Sequence, residues 1–375
     1  MDFVATDTQA MLRDTADRLV RDRYDFEERK KIVASEDGFS RKLWKELAEL
    51  GLLGIEIPEE QGGSGGSFAD VAVVLESFGK GLVVEPYLST VVLGAGLIAA
   101  AGWEAQKHDI LPKVASGDML LALAYTEAHS RYALNHVATK ARKDGAGYVI
   151  DGHKAVVLGA DTADKLIVSA RTSGEVGDAT GISLFLVDPK AEGVSMRVYP
   201  NLDDRRAAEV TFDGVKVEAS ALVGAEGDGL RPLEAAIDRG AAAVGCEALG
   251  AMGALNALTL DYLKTRMQFG RPIGKFQVLQ HRMADMVMAE QQARSMLFLA
   301  IEQADAKDPA ARAQAISAAK AQIDACGQVV GRGAIQLQGG IAMTMEYIAG
   351  HFFRRLTALE KMMGDRDYHL ERFAI

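Results

Sequence analysis

Two cysteines, Cys246 and Cys326, are too few for a disulfide framework in a chain of 375 residues. Both stand among small and apolar residues in helical patterns, so they are expected as reduced core thiols in a reducing, cytoplasmic compartment. Excess positive charge is missing too. A formal net charge of −10 and a pI near 5.3 argue against nucleic acid as the main partner, although local arginines can still hold an anionic cofactor. No uninterrupted apolar span is present: the most lipid-like stretch, 82–103, is broken by Glu85, Pro86, Gly94 and Gly96 and reads as a buried helix. The first dozen residues show no basic segment leading into an apolar run, so no secretory signal is read there. The histidines, His281 included, lack metal-ligand spacing, no Ser–His–Asp arrangement can be drawn, and His351 beside FFRR reads as a surface group. The glycines of PEEQGGSGGS, 58–67, form a loop without the lysine of a phosphate-binding motif. Internal repeats and low-complexity tracts are absent.

What remains is 49% hydrophobic and 25% charged, an ordinary globular composition long enough for two or three domains. Residues 1–118 read as helical. Thr6 and Gln9 make a capping box ahead of an apolar helical stripe, and Trp44, Leu47, Leu50, Leu52 and Leu53 mark another. Over 119–223 the period shortens towards two, and LALAY, YVIDGHKAVVL, KLIVSAR, ISLFLVD, VSMRVYP and EVTFDGVKV predict six strands. Helical periodicity returns over 224–375, with 304–312 expected as an exposed hinge and Pro309 at a first turn. The fold class is therefore α+β, mostly α.

The richest stretch is RMQFGRPIGKFQVLQ, 266–280, between two helical patterns. Arg266 and Arg271 are candidate anion ligands, because a guanidinium fork donates two parallel charged hydrogen bonds to a pyrophosphate. Phe269 and Phe276 are candidate aromatic walls, and Gly270 and Gly274 permit close backbone approach. On chemistry alone, a helix-hairpin loop with solvated arginines fits equally well. The spelling R-x-x-F-G-x-x-I-x-x-F-Q resembles the hallmark loop of the acyl-CoA dehydrogenase family of flavoproteins, and LAELGLLGIEIPEEQGGSGG resembles its N-terminal helical domain. The resemblance covers essentially the whole chain. It implies an N-terminal helical domain, a middle β-barrel or sandwich, a C-terminal four-helix bundle, an FAD cofactor, an acyl-CoA substrate, and electron-transferring flavoprotein as redox partner.

By that resemblance Arg266, Phe269, Phe276 and Gln277, with Gln336, Gly339 and Gly340 of IQLQGG, belong to FAD binding, as does Thr126. Elsewhere the chain departs from the family. T-E-P-x-A-G-S-D becomes TEAHSRYA, with His129, Arg131 and Tyr132 in place of small residues. K-x-W-I-T-N-G becomes KAVVLGA, so Val156 replaces a flavin-stacking tryptophan and Leu158 a threonine. The family's two base positions fall on Met363 and on Gly240, with Ala241 at the place of the arginine that follows the second, and none of these can take a proton. Asp238 matches a substrate-contacting aspartate, or is a charge near a helix N-terminus. Glu247, in the apolar run AAAVGCEALGAMGAL, is either a base or one half of a buried structural pair. Three readings follow: one subunit of a hetero-oligomeric dehydrogenase whose sister chain supplies the base, a self-sufficient homo-oligomer using Glu247 or Asp238, or a non-catalytic binding and assembly protein.

Overall fold

The computed structural model describes residues 5–374, so 1–4, where the reading for a secretory signal begins, lie outside the described residues. The chain opens with α1 (Asp7–Arg23), α2 (Phe26–Ala34), α3 (Arg41–Glu49), α4 (Phe68–Gly81), α5 (Gly96–Ala101) and α6 (Glu104–Ala115). Strands follow: β1 (Leu121–Ala124), β2 (Lys140–Asp144), β3 (Gly147–Leu158), β4 (Lys165–Arg171), β5 (Ile182–Val187), β6 (Val194–Pro200), β7 (Arg206–Glu218) and β8 (Leu222–Val223). Then come α7 (Leu230–Thr265), the short β9 (Met267–Gln268) and β10 (Arg271–Pro272), α8 (Gln277–Gln303), α9 (Pro309–Gln338), α10 (Ile348–Lys361) and α11 (Arg366–Ala374). Helices, strands, helices is the expected order, and helix dominates.

The chain forms two compact units. One gathers 1–31, 68–83 and 241–375 and is helical. Its first helix starts as the sequence predicts: the Thr6 hydroxyl accepts the Gln9 N–H at 3.2 Å, and the Gln9 side chain accepts the Thr6 N–H at 3.1 Å. Between α8 and α9, Asp308 caps the incoming helix by accepting the Ala310 N–H at 3.0 Å, with Pro309 at the first helical position. The expected exposed hinge is exposed only in its middle, since Ala304 and Arg312 at its ends are buried. The α4–α7 contact is unusually close. A Cβ on Gly79 would overlap the carbonyl oxygen of Glu247, and one on Gly250 would overlap that of Glu76. Among the described residues α7 is the one helix long and apolar enough to cross a bilayer, and 78% of that window is buried within the fold.

The other unit holds 32–67 and 84–240. Its sheet runs β6-β7-β3-β2-β4-β5-β8, with β1 alongside β4 in parallel and most other neighbours antiparallel. Ile150, Val157, Leu166, Val168, Phe185, Val187, Val210 and Phe212 fill its core. Eight strands replace the expected six. The unexpected β2, KARKD, has four charged residues and buries only Ala141, so hydrophobic alternation cannot reveal it; its pairing with β3, Lys140 opposite Asp151 to Asp144 opposite Gly147, makes it a strand. Of the stretch expected as a buried helix, only Leu88–Ala101 is helical and most of it is buried, with Leu88–Ala95 wound as a π-helix; 82–86 is not helical, and Trp103 at the far end is exposed. Thr90 ties it to β1 by giving its hydroxyl to the Leu121 carbonyl and accepting the Leu121 N–H, both at 3.2 Å.

Candidate functional site

In the helical unit, α7 runs into a two-residue hairpin. Gln268 pairs with Arg271, and the residues between, Phe269 and Gly270, have φ of 54° and 77°. Two successive left-handed residues are what a tight hairpin turn demands; glycine meets that freely and phenylalanine does not. Phe269 is 88% exposed. Its ring meets Phe276 edge-on at 6.0 Å, and the Arg271 guanidinium lies 4.3 Å from the centre of the Phe276 ring. Arg266 and Gln277 are exposed on the same loop. Gly274 makes the expected close approach, to the backbone of Leu263. Arginines and aromatics thus come together as one cationic, aromatic surface.

The second glycine motif ends α9. Gln336 is exposed, whereas Gln338 is buried and donates to the Thr259 hydroxyl at 2.8 Å, fixing the end of α9 to α7. Gly339 turns the chain at φ 69°, and around both Gly339 and Gly340 a Cβ would meet open space. Their backbone is accessible. Gln338 escaped the sequence reading because nothing in QLQGG separates an inward glutamine from an outward one.

In the β unit, Thr126 is half-buried, and its carbonyl accepts the Ala155 N–H at 2.8 Å, joining the two altered motifs. Beneath it, the Glu127 carboxylate accepts Lys154 Nζ at 2.7 Å and the N–H groups of Ala138 at 2.8 Å and Thr139 at 3.0 Å. Lys154 also donates to the Ser169 hydroxyl at 3.0 Å. Burial pushes the Lys154 ammonium down to about 8, with Glu127 offsetting part of the effect. Burial raises the Glu127 carboxyl, but Lys154 and the two backbone donors outweigh it and hold the group below its ordinary value. Val156 sits at a register shift in β3, exposed, at φ 52°. A β-branched residue there costs about 1–3 kcal/mol. Leu158 is half-buried.

Neither base position carries an acid. Gly240 and Ala241 are buried in α7. Met363 is buried, at φ 59°, and its backbone is in use. The Met363 carbonyl accepts His369 Nε2–H at 3.0 Å, which leaves Nδ1 to accept the Ser317 hydroxyl at 3.2 Å. Beside it, Lys320 Nζ donates to both Asp324 oxygens at 2.7 Å and to the carbonyls of Glu360 and Gly364 at 3.2 Å. This latch of Lys320, Asp324 and His369 fixes the turn at Met363 and was not read from the sequence. Burial lowers Lys320 and raises Asp324.

The lone carboxylate at Glu247 is not lone. Arg355 grips it with Nε to Oε1 at 2.8 Å and Nη2 to Oε2 at 2.6 Å, both side chains buried. Asp238 is buried two turns into α7, so it is not a charge at the helix N-terminus. His351, expected at the surface, is buried: its Nε2–H donates to the Met345 carbonyl at 3.0 Å, and its ring meets Phe26 edge-on at 4.9 Å. Both cysteines are free and buried. Among the described residues no group of three or more His, Cys, Asp or Glu side chains could hold a metal ion.

The sequence matches the acyl-CoA dehydrogenase N-terminal domain over residues 6–118, the middle domain over 122–215 and the C-terminal domain over 227–374. A probable acyl-CoA dehydrogenase of Bacillus subtilis is 32% identical over 386 aligned positions, covering 100% of this chain and 98% of the relative. Among solved structures, the ChsE4-ChsE5 complex from Mycobacterium tuberculosis superposes with a TM-score of 0.89 at 26% identity, covering 100% and 98% of the two chains. The FAD complex of PigA does so with a TM-score of 0.91 at 25% identity, again covering 100% and 98%. Matched along its whole length in sequence and in backbone, the chain belongs to the acyl-CoA dehydrogenase family, whose cofactor is FAD.

Proposed function

We propose that this chain is one subunit of a hetero-oligomeric acyl-CoA dehydrogenase, and that a sister chain supplies the catalytic base. The observation that carries the reading is the pairing of an exposed loop rich in arginine and aromatic residues with base positions occupied by Met363 and Gly240. FAD, when bound, would supply the hydride acceptor for dehydrogenation of an acyl-CoA thioester. The residues fit its adenosine and pyrophosphate end. Arg266 and Arg271 are placed to pair with phosphates, Phe269 and Phe276 to flank an adenine, and the open backbone of Gly339 and Gly340 to admit close approach. Thr126, in this reading, stands at the ring end. There the fit fails: Val156 offers no aromatic face, Leu158 no hydroxyl, and Arg131 and Tyr132 crowd what small residues would leave open.

Glu247 is disfavoured as a base, because Arg355 occupies both its oxygens. Asp238 remains the substrate-contacting candidate. We extend the proposal to a likeness with the small subunit of pimeloyl-CoA dehydrogenase, and a likeness to a two-component complex supports assembly with a sister chain. The same reading puts domain boundaries after residues 118 and 223, the protein in the cytoplasm, and its electrons on electron-transferring flavoprotein.

Single-turnover flavin bleaching by acyl-CoA tests it, with the chain alone and co-expressed with a sister subunit. Alone, bleaching should be about 10²–10⁴-fold slower than in the pair, the usual cost of a missing general base. Met363→Glu should not rescue the lone chain. Fast bleaching by the lone wild type, abolished by Glu247→Gln, would overturn the proposal.

A further inference from the structure

Away from the motifs described above, a small cleft of about 90 Å³ opens between α9 and α10 in the helical unit. Glycines hollow α9 on that side. At Gly331 the reason is packing, since a Cβ would come within 2.9 Å of the Phe353 ring. At Gly327 it is not. A Cβ there would meet only Leu356, at an ordinary 3.7 Å, so alanine would fit and would favour the helix by about 1 kcal/mol. What the missing methyl leaves is the floor of the cleft, lined by the buried Leu356 and the half-buried Phe353.

The polar groups around that floor differ in how far they are satisfied. Towards Lys320, the Glu360 carboxylate accepts Lys361 Nζ at 2.9 Å and lies in the field of Lys320 itself, so its charge is answered. The Thr357 hydroxyl is committed to the Phe353 carbonyl at 2.8 Å. Further along α9, Gln328 and Arg332 stand one helical turn apart, with Arg332 open to solvent. Among the described residues neither has a hydrogen-bonding or acidic partner. The unanswered charge of the cleft is therefore a cation.

We propose that this cleft binds a short-chain carboxylate, its oxygens on Arg332 beside Gln328 and its alkyl tail over Phe353, Leu356 and the bare Gly327. A guanidinium fork meets a carboxylate in two parallel charged hydrogen bonds, which an ammonium cannot reproduce. The volume admits acetate or propionate and falls far below the roughly 300 Å³ at which sites for drug-sized ligands begin, so FAD and coenzyme A thioesters are excluded as occupants. The inference goes beyond the dehydrogenase reading and needs no base, cofactor or sister chain. Since α9 runs into the Gly339 turn and α10 into the turn at Met363, a bound carboxylate braces the two helices that carry those turns.

The test is saturation-transfer NMR on the full chain, with propionate and n-propylamine as probes at constant ionic strength. Propionate should bind saturably and propylamine should not. Arg332→Gln should weaken propionate by about 10- to 100-fold, the range for a lost charged hydrogen bond, and Arg332→Lys by less. Gly327→Ala should melt no lower than wild type, yet bind propionate more weakly because its methyl occupies the floor. Non-saturable propionate, equal binding by wild type and Arg332→Gln, or tighter binding of propylamine would each show the assignment to be wrong. A loss in Arg332→Gln with none in Gly327→Ala would put the anion on the exposed guanidinium alone and refute the cleft as its site.

Discussion

Glu247 and Arg355 meet through two short hydrogen bonds inside the helical unit, each the other's means of being charged while buried. Removing one partner strands the other. Glu247→Gln should therefore cost about 3–5 kcal/mol in a denaturant titration, while replacing both with apolar residues of similar volume should cost far less. Equal stability of Glu247→Gln and wild type would show that the pair contributes nothing. The residue also marks where sequence reading stops. A carboxylate in an apolar run announces that it needs a partner, but an arginine 108 positions away cannot be matched to it before the helices are packed. His351 fails for the same reason: beside FFRR it looks solvated, and only the neighbouring carbonyl and the Phe26 ring show otherwise.

At the scale of elements, the turn joining α10 to α11 depends on a neutral imidazole. Protonating His369 would take the Nδ1 lone pair from Ser317 and place a cation near Lys320; burial, then Lys320, push its pKa from 6.5 to about 3. The folded value is depressed, so an unfolded chain binds the extra proton first. The stabilisation is complete above pH 6.5 and is lost as pH falls towards 3, at about 1.4 kcal/mol per pH unit at the steepest. Urea midpoints at pH 7, 6, 5 and 4 should fall more steeply for wild type than for His369→Asn. Matching slopes would acquit the ring. Periodicity revealed the long elements and the capping box of α1, because local residues set both. It could not reveal β2, which is defined by its neighbour β3, or the π-helical winding at Leu88–Ala95, which shows only in the hydrogen bonds.

For the whole molecule, helices, strands and helices were legible from the change in hydrophobic period, and the loop at Arg266 from its arginines and aromatics. Its exposed apolar side chains forecast assembly: Val278, Val287 and Met288 along α8, and Met343 and Met345 beyond α9, lie open to solvent. Sedimentation at micromolar concentration should show a dimer or larger, alone or with the sister subunit, and a monomer that still holds FAD would contradict the proposal. The α4–α7 crossing bears on any attempt to recombine this protein with its relatives. Gly79 leaves room for the backbone at Glu247, and Gly250 leaves room for the backbone at Glu76, so each helix is cut to the other's surface. The two lie far apart in the chain and behave as one hereditary part: a chimaera whose crossover falls between them inherits half of a matched pair.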